Sequence, residues 1–104
     1  MVSIFADKLR QAVTESNSLL CIGLDPDPEK MPIDDIFTFC KQIVDATAKD
    51  ACAFKPNLAF FEASGLNGFS ILKDVVDYIH SDFPHKVVIG DGKRGDIDSS
   101  SAKY

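Results

Sequence analysis

Apolar residues recur at intervals of three and four positions in three stretches of the chain, a spacing typical of amphipathic helices. The members of these stripes are Ile4, Phe5, Leu9, Ala12 and Val13; Ile36, Phe37, Cys40, Ile43, Val44 and Thr47; and Phe69, Leu72, Val75, Val76 and Ile79. The stretches predict helices near residues 3–16, from Asp34 as N-cap to about Asp50, and from Ser64 or Asn67 to near Pro84.

Short apolar runs lie between the predicted helices, and three of them predict strands, at residues 19–24, 51–55 and 86–91. The first run is almost wholly apolar, which fits a strand buried on both faces. Proline ends the first two runs, because it removes a backbone donor from the ladder. After the third run the pattern predicts a turn and the start of another helix, at residues 92–98 and 99–104.

A helix followed by alternating strands and helices predicts an α/β fold with a parallel sheet and right-handed crossovers. Three strands cannot close into a barrel. They leave two edges and one sheet face in need of cover. We therefore expect that the chain is either cut short or completed by a partner.

Composition and charge narrow the classes of function. The 104 residues are enough for one modest core, and eleven basic against sixteen acidic side chains give a formal net charge of −5. This balance argues against nucleic-acid binding, which requires a basic face. No stretch approaches the ~20 apolar residues of a membrane span, and no signal-peptide pattern opens the chain, so we expect a cytoplasmic protein. The odd cysteine count without C-x-x-C spacing favours reduced thiols over a disulfide or metal site.

Polar residues follow each predicted strand at its carboxyl end. They are Asp25 after the first strand, Lys55 and Asn57 after the second, and Asp91 and Lys93 after the third. In parallel α/β folds this is the end at which ligands bind. Because successive strand residues point to opposite faces, these charges are expected to share one face with small and branched residues such as Ala53, Val87 and Ile89.

The segment 91–97 places two carboxylates around a lysine, as Asp91, Lys93 and Asp96. A D-x-K-x-x-D string alone also fits a charged, solvated turn. Its position at a strand end, next to Lys55 and Asp25 on neighbouring strands, favours a catalytic cluster instead.

Three motifs together resemble the orotidine 5'-phosphate decarboxylase family. They are Gly23-Leu24-Asp25-Pro26, Phe54-Lys55-Pro56-Asn57 with Phe60-Phe61-Glu62-Ala63, and Asp91-x-Lys93-Arg94-Gly95-Asp96-Ile97. They occur in family order and span nearly the whole chain. Gly92 and Asp98 depart from the usual alanine and glycine, and Ser100 replaces a threonine while keeping the hydroxyl.

The resemblance implies a (β/α)₈ TIM barrel that dimerises and converts orotidine 5'-monophosphate to UMP and carbon dioxide in pyrimidine biosynthesis, without metal or organic cofactor. The catalytic residues that it implies are Lys55, Asp91, Lys93 and Asp96, of which Asp96 would reach into the partner's site. The substrate-binding residues that it implies are Asp25, Lys55, Asn57, Ile97 and Ser100.

The whole chain, residues 1–104, is then the N-terminal portion of one barrel domain, since such a barrel needs ~250 residues. We expect this portion to be inactive alone. Two alternatives stay open from the sequence. One is a related magnesium-dependent sugar-phosphate decarboxylase or aldolase that shares D-x-K-x-x-D, against which Lys55 argues. The other is a non-catalytic fragment that serves only in assembly or binding.

Overall fold

The computed structural model describes residues 4–92. Along the chain, α1 is Ile4–Ser16, β1 is Cys21–Leu24, α2 is Ile36–Thr47, β2 is Ala53–Pro56, α3 is Leu58–Glu62, α4 is Leu66–Asp82 and β3 is Val87–Val88. A short 3₁₀ helix, Ala48–Asp50, continues α2. The predicted alternation of helices and strands is confirmed. The turn and helix predicted for residues 92–98 and 99–104 lie, apart from Gly92, outside the described residues.

The start of α2 corrects the predicted cap by one residue. Asp35, not Asp34, precedes the first helical residue, and its carboxylate accepts a hydrogen bond from the backbone N–H of Thr38 at 3.3 Å. This bond satisfies one of the free donors in the first turn of the helix. The α-helix also ends earlier than predicted, at Thr47. A single 3₁₀ turn, Ala48–Asp50, follows it.

The region between β2 and α4 differs most from the prediction, because α3 was not expected there. Neither residue predicted to start α4 caps it: Ser64 donates its hydroxyl back to Phe60 O, and Asn67 is already inside the helix. Gly65 is the N-cap, with φ of 78°. A positive φ is accessible to glycine at little cost, so the chain turns sharply at Gly65 and runs from α3 into α4.

The strands form one parallel sheet in the order β1-β2-β3. Cys21 pairs with Ala53, and Ala53 with Val87, so the three strands are in register at their amino ends. The regular strands are shorter than the predicted runs. The third is reduced to Val87–Val88, although pairing to β2 resumes beyond it at the bridge between Asn57 and Asp91.

Each face of the sheet packs on different helices. On one face the main core joins the strand residues Leu24 and Phe54 to apolar residues of α2 and α4, among them Val44 and Ile79. On the other face a smaller cluster joins Ala12 of α1 to Cys52, Ala53 and Val87 near the amino ends of the strands. The predicted assignment of Ala53 and Val87 to one shared face is therefore confirmed.

The first strand is not buried on both faces, as its composition had suggested. Leu24 is fully buried towards the helices, but Cys21 and Gly23, which alternate with it, are exposed on the other face. Leu19, predicted as strand, precedes it and is 84% exposed. The sheet thus has an open face beyond the area that α1 covers. Within residues 4–92, no helix is long and apolar enough to cross a membrane.

Candidate active site

The carboxyl ends of the three strands are tied together by backbone hydrogen bonds. The N–H of Asn57 donates to Leu24 O at 3.0 Å, which joins the end of β2 to the end of β1. The N–H of Asp91 donates to Pro56 O at 3.0 Å, and the N–H of Leu58 donates to Asp91 O at 2.9 Å. Pro56 lacks a donor of its own, yet its carbonyl still serves the ladder. These bonds fix where the polar residues that follow each strand can project.

Lys55 and Asp91 form the central pair of charges. Lys55 Nζ lies 4.0 Å from Asp91 Oδ2, at the outer limit of an ion pair. The lysine side chain is 42% exposed, whereas that of Asp91 is 14% exposed. The Asp91 carboxylate is thus mostly enclosed by protein, whereas the Lys55 side chain is partly in solvent. By strand alternation Lys55 shares the open face with Ala53.

Asp25 is the third charge at this edge, and its environment differs from that of an ordinary surface carboxyl. Although the residue as a whole is exposed, loss of solvent around the carboxyl group raises its pKa. The positive charge of Lys55 opposes this rise, the negative charge of Asp91 adds to it, and hydrogen bonding to the side chain of Asn57 opposes it again. The charges of Asp25, Lys55 and Asp91 therefore interact electrostatically at the carboxyl ends of the three strands.

Asn57 belongs to the same cluster, but its side chain has a structural task. The residue is 9% exposed, and its Oδ1 accepts the backbone N–H of Ala59 at 3.1 Å. This is an N-cap, and α3 begins at the next residue, Leu58. The sequence signal for it was an asparagine three residues before the Phe60-Phe61 pair. The resemblance implies only that this asparagine contacts the substrate.

The three cysteines are free thiols, of which two are buried and one is exposed. Cys40 and Cys52 are buried, and burial raises the pKa of the Cys40 thiol to about 12. Cys21 is exposed on the open face of β1. Loss of solvent raises its pKa, and the positive charge of Lys55 partly offsets that rise. Strand alternation predicts that Cys21 shares its face with Gly23 and Asp25, and only the exposure of its thiol is not indicated by the sequence.

The structure brings together Asp25, Lys55, Asn57 and Asp91, which are four of the residues singled out from the sequence. The other four, Lys93, Asp96, Ile97 and Ser100, lie outside the described residues. In the described part of the chain, no group of three or more histidine, cysteine, aspartate or glutamate side chains is arranged to hold a metal ion.

Comparison with known proteins identifies the family. The family model described as "Orotidine 5'-phosphate decarboxylase / HUMPS family" matches residues 18–104, which include every residue of the cluster. The chain belongs to this family. The resemblance drawn from the three motifs is thereby confirmed.

Curated relatives agree with the family match. The orotidine 5'-phosphate decarboxylase of Christiangramia forsetii is 40% identical over 95% of this chain, and that of Cupriavidus metallidurans is 45% identical over 96%. The chain spans only 39% and 38% of those two proteins.

Solved structures of family members share the fold. The UMP synthase of Leishmania donovani matches with a TM-score of 0.72 and 35% identity, over 96% of this chain and 21% of that one. A Toxoplasma gondii protein provisionally named orotidine-monophosphate decarboxylase matches with a TM-score of 0.76 and 36% identity, over 90% and 33%. The three parallel strands and their helices are the N-terminal part of a (β/α)₈ barrel, as expected from the sequence.

Proposed function

We propose that this chain supplies the lysine–aspartate part of an active site that decarboxylates orotidine 5'-monophosphate to UMP and carbon dioxide. The observation that carries the proposal is the convergence of Lys55, Asp91 and Asp25 at one edge of the parallel sheet. That edge is where barrel enzymes bind their substrates. The names of the curated relatives support the choice of substrate.

The proposed chemistry explains the choice of residue types. When the carboxylate leaves C6 of the pyrimidine as carbon dioxide, the bonding electron pair stays on that carbon. The ammonium of Lys93 is proposed to stabilise this charge and then to transfer a proton to C6. The alternating order Lys55, Asp91, Lys93 and Asp96 is proposed to set each charge next to one of opposite sign and so to hold the side chains in place.

The remaining assignments concern substrate binding and partners. Asp25 and Lys55 are proposed to bind the ribose hydroxyls, and Ile97 and Ser100 to contact the substrate. Asp96 is proposed to act in the site of a second copy of the protein, in a dimer. No metal or organic cofactor is part of the mechanism. The cytoplasmic location expected from the sequence stays a prediction.

Lys55 favours this reaction over the magnesium-dependent sugar-phosphate reaction. A metal-based site at this edge would be expected to gather carboxylates around a cation. Instead the Lys55 ammonium lies 4.0 Å from Asp91 Oδ2 and interacts electrostatically with Asp25. A fixed positive charge there serves a substrate that develops negative charge.

A chimera tests the proposal, because this chain spans less than two fifths of its relatives. Residues 1–104 replace the matching segment of the Cupriavidus metallidurans protein, and UMP formation from orotidine 5'-monophosphate is followed. The chimera is expected to turn over substrate. A Lys93→Ala chimera is expected to bind UMP but to lose decarboxylation, since several kcal/mol of transition-state stabilisation disappear.

The kcat of the Lys93→Ala chimera, relative to that of the parent chimera, decides whether Lys93 has the proposed role. Each factor of ten in kcat corresponds to ~1.4 kcal/mol of barrier. If Lys93→Ala keeps more than about a tenth of the kcat of the parent chimera, then Lys93 is not the proton donor. If the folded parent chimera shows no turnover, these residues do not form the proposed site.

A further inference from the structure

Asn57 lies where the ends of all three strands meet. Its backbone N–H is bonded to Leu24 O, the residue before Asp25. Its backbone is also paired in a parallel bridge with Asp91. Lys55 lies two residues earlier, within β2. Any shift of Asn57 therefore changes the positions of all three charges relative to one another.

The side chain of Asn57 fixes this meeting point through α3. Its Oδ1 caps the helix at the N–H of Ala59, 3.1 Å away and buried. The cap holds the first turn of α3, and the N–H of Leu58 in that turn donates to Asp91 O at 2.9 Å. The path from cap to charge thus has two steps: side chain to helix, and helix to the backbone of Asp91.

We propose that Asn57 is a positioning residue, whose cap on α3 sets the backbone crossing that holds Lys55 against Asp91. This inference rests on the proposed function for its effect on the reaction, but not for its structural part. The assignment that it replaces is the one from the resemblance, in which Asn57 contacts substrate directly. Both ends of the Asn57 side chain are engaged within the protein, because Oδ1 accepts from the N–H of Ala59 and the amide group hydrogen-bonds to the carboxylate of Asp25.

The chain offers a matched control in α2. Asp35 also caps a helix through a side-chain oxygen, but α2 packs on the face opposite the charged cluster. Removing either cap destabilises a helix by a similar mechanism. Only removal of the Asn57 cap is expected to disturb the charges. A serine at either position retains an oxygen that can cap.

The kinetic test uses the chimera described above. Asn57→Ala is expected to lower kcat/KM about tenfold or more, because small displacements of catalytic groups are costly. Asn57→Ser is expected to recover most of that loss. Asp35→Ala is expected to keep kcat/KM within about twofold of the parent chimera, although it removes a helix cap just as Asn57→Ala does. If serine is as impaired as alanine, or if Asp35→Ala is equally impaired, the proposal is overturned.

A second test needs no activity and uses the 104-residue chain itself. Amide hydrogen exchange is measured at Leu58 and Asp91, whose N–H groups donate to Asp91 O and Pro56 O. Asn57→Ala is expected to accelerate exchange at both, and Asn57→Ser to restore it, whereas Asp35→Ala affects only α2. Unchanged exchange at Asp91 in Asn57→Ala overturns the inference. If exchange responds as expected but the parent chimera is inactive, the proposed function fails and the positioning role stands.

Discussion

The Asp25 carboxyl is held in a setting that is unfavourable for its charge. Its raised pKa means that the folded state favours the protonated form relative to the unfolded chain. The stabilising contribution of this group is therefore complete below its ordinary value, near 3.8, and is lost as pH rises through the raised pKa. At neutral pH the ionised Asp25 carboxyl therefore lowers the stability of the fold.

Asp25→Asn is accordingly expected to stabilise the chain at pH 7 and to lose that advantage near pH 3. The reason is that asparagine removes the ionised form, while at low pH both proteins carry a neutral group. Urea unfolding midpoints at the two pH values measure the difference. Asp34→Asn, an exposed residue before α2, serves as the control for removing one negative charge. A neutral or destabilising effect of Asp25→Asn at pH 7 would contradict the electrostatic description.

Gly92 is the described residue next to Lys93, and it departs from the alanine usual in the family. Its φ is not positive, and a Cβ built on it would lie 3.5 Å from Leu58 Cδ1, an ordinary contact. Gly92→Ala is therefore expected to raise the free energy of unfolding by about 0.4–1 kcal/mol, chiefly by reducing the freedom of the unfolded chain. Urea denaturation measures it. Gly65→Ala is the opposing comparison, since φ of 78° strains alanine there, and it should destabilise.

At the scale of elements, the contact between α3 and α4 depends on one glycine. Gly68 is buried in the first turns of α4, and a Cβ built on it would lie 1.7 Å from the backbone oxygen of Phe61. No rotation of a side chain can relieve a clash with backbone. The short helix α3 can pack this closely on α4 only because residue 68 has no side chain.

Gly68→Ala is expected to destabilise the chain by about 1–3 kcal/mol, as overpacking in a core does. Helix propensity alone predicts the opposite sign, a gain of about 1 kcal/mol, so the two effects are separable. The urea unfolding midpoint measures the outcome, with Gly92→Ala as the glycine-to-alanine comparison that makes no clash. A stabilising result for Gly68→Ala would mean that α3 moves away from α4 without cost.

The elements could be predicted from sequence to the extent that they are amphipathic. The stripes of α1, α2 and α4 appear in the sequence because each helix has one solvated side. In contrast, α3 buries Ala59, Phe60 and Phe61 in five residues, so it has no polar stripe to give a helical period. The strands were predicted too long because an apolar run does not show which residues pair: Leu19 is apolar, yet it precedes β1 and is 84% exposed.

In the candidate site too, features that depend on neighbouring residues in the chain could be predicted, whereas features that depend on distant contacts could not. That Lys55 and Asp91 project on one face follows from the alternation of strand residues, which the sequence contains. The cap made by Asn57 depends on the unpredicted helix α3, and the exposure of Cys21 depends on which parts of the sheet are covered. Neither could be read from residue order alone.

For the molecule as a whole, the decisive fact is the uncovered part of the sheet. The open face of the sheet carries Lys55 and Asp91 at its carboxyl end, while α1 covers only the region near Ala53 and Val87. In a closed barrel, the neighbouring strands would enclose that face and strengthen every charge interaction within it. In the chain alone, the 42% exposure of the Lys55 side chain leaves its charge well hydrated.

The 104-residue chain is therefore expected to form no measurable UMP from orotidine 5'-monophosphate. Two contributions to catalysis are lacking. The phosphate-binding loops of barrels usually follow strands seven and eight, so the binding energy that would hold C6 over Lys93 is not available. The charges at the strand ends are also hydrated rather than held in a site that excludes water, which weakens their effect on the transition state.

The measurement is UMP formation by the purified chain at high concentration, next to its own Lys93→Ala variant and the active chimera. The variant defines the background, because it has the same fold and impurities but lacks the proposed proton donor. The chimera is expected to show that the same 104 residues are competent once the rest of the barrel is present. Turnover by the chain above the Lys93→Ala background would mean that remote phosphate binding is dispensable, because a partly hydrated lysine–aspartate cluster would then lower the barrier by itself.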